Sequence, residues 1–161
     1  MADAFVVNAS PLILLSRGRH LNLLHHFADR IFIPEPVAKE IQAKGSEDIT
    51  VLAIRNTPWI EIVPSLPIPQ SILLWGLGNG ESAVLAFACA NPGMEAVLDD
   101  LPARKCAAGL GIPVRGTLGI VLAAKQRGLI PQARPILEDL LSNGLYLSQN
   151  ILQTALKRVG E

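Results

Sequence analysis

Short apolar runs alternate with helical patterns along this sequence, and that alternation limits the fold more than any other feature. Phe5-Val6-Val7, Ile31-Phe32-Ile33, Trp59-Ile60-Glu61-Ile62-Val63, Ala96-Val97-Leu98 and Gly111-Ile112-Pro113-Val114 read as strands bounded by turn residues. Between most of them lie segments with apolar residues at helical spacing. Strands joined through helices belong to crossover units, so a mainly parallel sheet covered on both faces is predicted. Crossovers of this kind are right-handed. The expectation is an α/β fold of about five strands, with the first and fourth adjacent at the centre.

The 161 residues fit one domain, 1–161, long enough for a substantial core. Half of them are hydrophobic and only 17% are charged, which excludes disorder. Lys and Arg balance Asp and Glu at 14 each. A net charge of zero argues against a strongly electrostatic, non-specific nucleic-acid binder. It leaves room for a nuclease whose metal supplies the positive charge. No run approaches the roughly 20 apolar residues of a membrane helix. The start, Met1 to Val7, carries an acid and no basic region, unlike a signal peptide. Cys89 and Cys106 fall in helical patterns without a C-x-x-C spacing and are expected to be reduced core thiols of a cytoplasmic protein. Phosphate-loop, dinucleotide and zinc signatures are missing from the sequence.

Chemistry-bearing residues gather where strands end. Asp99 and Asp100 follow Ala96-Val97-Leu98, and ligands in open α/β sheets bind beyond the carboxyl ends of strands. Two carboxylates there make a hard, oxygen-rich site suited to Mg²⁺ or Mn²⁺. Alternatively, Asp99 caps the helix that opens at Pro102 and Asp100 favours its dipole. Asn8 stands at the tip of the first strand, and Ser10 is placed to cap a helix with Pro11 at its first position. Glu40 sits beside the buried stripe of Val37 and Ile41, and reaches either inward or out to Lys44. Glu81 follows the glycine-rich turn Gly76-Leu77-Gly78-Asn79-Gly80 in the first turn of an apolar helix. Thr117 either caps the helix ending at Gly128 or touches the site from its strand. His20, His25 and His26 lack metal spacing and are expected at the surface.

Other helices are predicted from Pro11 to near Arg17-Gly18, over Leu21–Phe27, from near Glu35-Pro36 with Gly45 just past its end, and over Ile49–Arg55. Pro64 to Pro69 is too rich in proline for regular structure. Two late helices, one from Pro131 with Ile136, Leu137, Leu140 and Leu141, and one capped by Ser148 with Ile151, Leu152, Leu156 and Val159, suggest packing or a dimer surface.

Taken in order, Val7-Asn8-Ala9-Ser10-Pro11-Leu12-Ile13, Pro34-Glu35-Pro36-Val37-Ala38-Lys39-Glu40-Ile41, Gly78-Asn79-Gly80-Glu81, Asp99-Asp100-Leu101-Pro102-Ala103-Arg104 and Gly116-Thr117-Leu118-Gly119 resemble the motifs of a PIN domain. That family includes the VapC-type ribonuclease toxins of toxin–antitoxin pairs. The similarity is closer to a PIN-like group with an Asn-x-Ser-Pro-Leu first motif, and it spans Val7 to Lys125. It implies a three-layer α/β/α fold with strand order 3-2-1-4-5. It also implies acids converging beside the central strands: Glu40, Glu81 and Asp100 as catalytic and metal-binding groups, with Asp99 beside Asp100. Asn8 stands where these nucleases usually carry the first metal-binding Asp. It keeps an oxygen but brings no charge, so affinity for a divalent cation should fall. Thr117 matches a final polar or acidic position, and Ser10, Arg104 and Thr117 are candidates for substrate contact. Arg104 and Lys105 either meet substrate phosphates or are ordinary solvated charges. The implied activity is Mg²⁺- or Mn²⁺-dependent cleavage of RNA, with a small antitoxin protein and a second copy of the chain as partners, and no membrane. The competing expectation is a PIN-like module without catalysis that binds RNA or a small protein.

Overall fold

The computed structural model describes residues 4–161. Met1, Ala2 and Asp3, part of the stretch bearing on a leader, lie outside them. In chain order the elements are β1 (Ala4–Val7), α1 (Ala9–Arg17), α2 (Asn22–His25), β2 (Arg30–Pro34), α3 (Glu35–Gln42), α4 (Ile49–Arg55), β3 (Ile60–Val63) and α5 (Gln70–Leu73). Then follow α6 (Asn79–Ala90), β4 (Glu95–Val97), α7 (Leu101–Gly109), β5 (Val114–Arg115), α8 (Thr117–Gln126), α9 (Arg134–Ser142) and α10 (Gln149–Arg158).

The strands form one sheet in the order β3-β2-β1-β4-β5, and every pairing is parallel. This is the three-layer α/β/α arrangement and the strand order that the resemblance implied. The central strands are apolar without alternation because helices cover both faces. Phe5, Val6, Val7, Ala96 and Val97 have no exposed surface. Edge strand β3 does not alternate as expected but is open at two successive residues, with Ile62 44% exposed and Glu61 paired to Arg30 at 2.9 Å. At the other edge β5 is shorter than expected. Gly111 turns the chain at φ +72 and Pro113 has no N–H to donate, so only its carbonyl joins the ladder, accepting from Ala96 at 2.9 Å. Short edges of this kind offer little to a foreign strand.

Helix α6 is buried nearly all round, through Gly80, Ser82, Ala83, Val84, Leu85, Ala86 and Ala88. A helix apolar on every side belongs in an interior, and its small residues let it lie close against β1, β2 and β4. Its first turn is thereby delivered to the ends of the central strands.

Several local expectations change. Asn8, not Ser10, holds the N-cap position of α1, because the helix starts at Ala9. Cys106 is a buried thiol, but Cys89 is exposed on the last turn of α6, where that helix leaves the core. Pro64 to Pro69 has no regular structure, as expected, and its last residue, extended Pro69, is the N-cap of the short α5. Ile151 is 51% exposed and so is not part of the buried stripe of α10, which Leu152, Ala155 and Leu156 form. Ser148 caps α10 as expected, accepting from the Ile151 N–H at 3.2 Å. Near the C-terminus the Glu161 carboxylate accepts from the Ala133 and Arg134 N–H groups at 2.6 and 3.1 Å, tying α10 to the start of α9. Among the described residues no helix is long and apolar enough to cross a membrane.

Candidate functional site

Strand order reverses between β1 and β4: β2 and β3 lie on one side, β5 on the other. Such a point opens a crevice beyond the carboxyl ends of the two strands. Asn8 enters it from β1, its N–H donating to the Val97 carbonyl at 3.1 Å. Asn is among the best capping residues, and Asn8 occupies the N-cap of α1 with extended backbone, yet its side chain makes no cap bond. It turns into the crevice instead. Nδ2 donates to Glu81 Oε1 at 3.4 Å, while Oδ1 is buried with no partner among the described residues. Leaving such an acceptor unsatisfied costs about 1–3 kcal/mol.

Glu81 comes from the first turn of α6, where the helix dipole favours its charge. The turn before it needs glycine for space. A Cβ on Gly78 would collide with the Glu81 carboxylate, and one on Gly80 would stand 2.5 Å from Glu40 Oε1 and 3.1 Å from Asn8 Oδ1. Gly80 is therefore the floor on which Glu40 and Asn8 meet. Glu40 reaches inward to it from α3 and forms no ion pair with Lys44. Partial burial, then the nearby Glu81 charge, push the Glu40 carboxyl above the usual range, and the Gly80 N–H opposes them.

From the other strand, Asp99 is held by two donors of α8: Thr117 N–H to Oδ1 and Thr117 Oγ1 to Oδ2, both at 2.7 Å. Ser10 Oγ adds a longer contact to Oδ2 at 3.4 Å. Thr117 thus neither caps α8, whose N-cap is Gly116, nor stands apart from the acids. The cap of α7 is Asp100, accepting from the Ala103 N–H at 3.0 Å, rather than Asp99. Asp99 has turned towards α8 and is not available to α7. Arg104 is no free surface charge: it donates to the Leu98 carbonyl at 3.1 Å and lies over Gly116, near Asp99. Lys105 is exposed.

One cleft of about 490 Å³ brings together Asn8, Ser10, Glu81, Asp99 and Asp100. Glu40 instead opens on a neighbouring cleft of about 640 Å³, beside Lys39 and Asn79, and meets Asn8 only across Gly80. Thr117 and Arg104 stand behind and beside Asp99. Sequence reasoning missed the far wall, Gly144-Leu145-Tyr146, which the connection between α9 and α10 supplies. Its only signal was a lone Tyr between two amphipathic helices.

The side chains lining the cleft offer a cation oxygen donors, and the Asn8 carbonyl oxygen lies buried and unpartnered near Gly80. That set fits a hard divalent cation. Among the described residues no three His, Cys, Asp or Glu side chains lie close enough to enclose an ion. Mg²⁺ tolerates such openness, because it keeps several waters and takes only one or two carboxylates from the protein.

A family model described as a PIN domain matches residues 4–161. PIN domains are generally nucleases, phosphodiester hydrolases that typically use divalent metals. No curated protein matches the chain. With the strand order, the crevice between β1 and β4 and a family match over residues 4–161, the chain belongs to the PIN-domain family.

Proposed function

We propose that this protein is a Mg²⁺- or Mn²⁺-dependent endoribonuclease, working as the toxin of a toxin–antitoxin pair. The observation that carries the proposal is Asn8: a capping residue that leaves its helix uncapped, turns its amide nitrogen to Glu81 and keeps its carbonyl oxygen buried without a partner near Gly80. That arrangement costs stability in the empty protein and is repaid when a cation meets the oxygen. Asn8, Glu81 and Asp99 would hold the cation, with Asp100 at the rim and Glu40 on the far side of Gly80. When bound, the ion neutralises phosphate charge and lowers the pKa of the attacking water.

The chain's own groups do the positioning. Thr117 fixes both oxygens of Asp99, so the carboxylate enters the cleft in one orientation. Asp100 is fixed by the Ala103 N–H through Oδ2 and would face the cation from the rim of the cleft. Arg104, anchored on the Leu98 carbonyl, is set to meet a substrate phosphate. The Ser10 hydroxyl stands at the same rim. A small antitoxin protein, a homodimer and a cytoplasmic setting complete the proposal. All of residues 1–161 would act as one unit.

A second reading, a module that binds RNA or a small protein without cutting, is favoured by the missing charge at Asn8 and by the lack of three convergent acids among the described residues. Incubating a mixed, structured RNA pool with Mn²⁺, Mg²⁺ or EDTA decides between them, with wild type and Asp100→Asn purified side by side. Metal-dependent cuts present in wild type and lost in the variant are expected. Cutting that persists equally in both rejects the nuclease proposal, as does the absence of both cleavage and Mn²⁺ binding.

A further inference from the structure

Tyr146 is 92% exposed, more than any other large apolar or aromatic side chain among the described residues, and it is the chain's single tyrosine. The residues on either side of it are nevertheless anchored. Gly144 turns in the left-handed region at φ +110, the Leu145 N–H donates to the Leu140 carbonyl at 2.9 Å, and Ser148 begins α10. The ring therefore stands out to solvent from a four-residue connection, 145–148, that is held at both ends.

Two clefts share this ring as a wall. One is the acidic cleft of Asn8, Glu81, Asp99 and Asp100. The other, of about 370 Å³, sets Arg104 and Arg158 against an apolar wall that includes Leu118, Leu122 and Leu147. Asp99, Leu101, Leu145 and Tyr146 border both, so the two are continuous over the ridge that Tyr146 and the 59% exposed Leu101 make. Neither Arg104 nor Arg158 has an ion pair among the described residues. Acid on one side, two guanidiniums on the other and an aromatic face between them suit a chain that alternates phosphates with flat bases.

We infer that Tyr146 is a base-stacking platform, and the Arg104–Arg158 cleft a phosphate track, for single-stranded RNA running into the acidic cleft; this rests on the nuclease proposal above. An acidic cleft repels every phosphate except one that meets a cation. The neighbouring phosphates of the strand need positive charge elsewhere, and these two arginines supply it. A single strand is the form that fits. Its bases are free to stack on an aromatic side chain, whereas a duplex keeps them paired inside. With Lys and Arg matched by Asp and Glu, the surface has no excess charge for the phosphates of two strands.

The test is fluorescence anisotropy of a labelled short single-stranded RNA with the full chain in Ca²⁺, beside Mn²⁺-dependent cleavage kinetics. Stacking is worth enough that Tyr146→Ala should weaken binding on the order of tenfold and raise KM with little change in kcat. Tyr146→Phe should behave as wild type, because the ring and not the hydroxyl makes the contact. Arg158→Ala should lower the slope of log Kd against log salt by about 0.7. Unchanged RNA affinity in Tyr146→Ala overturns the platform, and so does Tyr146→Phe losing as much as Tyr146→Ala. Tyr146-dependent binding without cleavage by wild type keeps the platform and removes the nuclease. Cleavage with a KM indifferent to Tyr146 does the reverse.

Discussion

Asp99 accepts two hydrogen bonds from one residue, Thr117, each 2.7 Å long, and so joins the end of the fourth strand to the first turn of α8. Thr117 is fully buried, so its hydroxyl has no water to turn to. Thr117→Val keeps the shape and removes the donor. Hydrogen bonds to charged groups contribute about 1.5–3 kcal/mol, and a loss of that size is expected in urea unfolding, together with weaker cleavage. Thr117→Ser should restore both. A valine variant as stable and active as wild type would show that Asp99 needs no fixing.

Gly80→Ala sets helix propensity against space. Alanine is favoured in a helix by roughly 0.5–1 kcal/mol, but its Cβ would stand 2.5 Å from Glu40 Oε1 and 3.1 Å from Asn8 Oδ1. Both side chains end in mobile oxygens and can move aside. The expected outcome is a stability change below about 1 kcal/mol with cleavage reduced at least about tenfold, since a small misplacement of positioning groups is costly. Thermal melts and initial rates measured on the same preparation check it.

Asn8 is the position where stability and metal affinity should part. Asn8→Ala removes an acceptor that has no partner and one long hydrogen bond, so its cost without metal should stay under about 1 kcal/mol. Mn²⁺ binding by calorimetry should be lost. Asn8→Asp places a second negative charge beside Glu81. It should lower the melting temperature in EDTA and tighten Mn²⁺ binding.

Asp100 caps α7, and Asn caps a helix as well as Asp does. Asp100→Asn should therefore melt like wild type, whereas Asp100→Ala should lose about 1 kcal/mol. Both should lose cleavage. Equal melting of wild type and Asp100→Ala would show that Asp100 does not hold the start of α7.

Glu161 gives a pH dependence unrelated to the cleft. The Ala133 N–H above all, then the Arg134 N–H and Lys125, hold its carboxyl below the ordinary value, against some desolvation. A lowered folded-state value means that its contribution is complete above the unfolded value of about 4.3. That contribution is lost as pH falls through the folded value. Glu161→Gln should be less stable than wild type at pH 7, and the difference should close in acid. Urea midpoints across that range, if parallel for the two proteins, would exclude this role.

Much of the architecture is written locally. Phe5-Val6-Val7 and Ala96-Val97-Leu98 read as buried strands from their bounding turn signals, although three apolar residues alone suit a helix equally, and α4 falls on Ile49–Arg55 as its pattern indicates. The acids are legible too, since strand ends and first helical turns are where an α/β sheet presents chemistry. What sequence by itself left open is direction. Whether Glu40 turns to Lys44 or to Gly80, and which of Asp99 and Asp100 caps α7, depends on partners from other elements. Ser10 and Asp99 meet across 89 positions, and Thr117 and Asp99 across 18. No local propensity reaches so far, because a side chain settles towards whichever donor or glycine gap the packed sheet brings to it. Tyr146 shows the same limit: only the folding of α9 and α10 against the rest of the chain carries that ring to the mouth of the cleft.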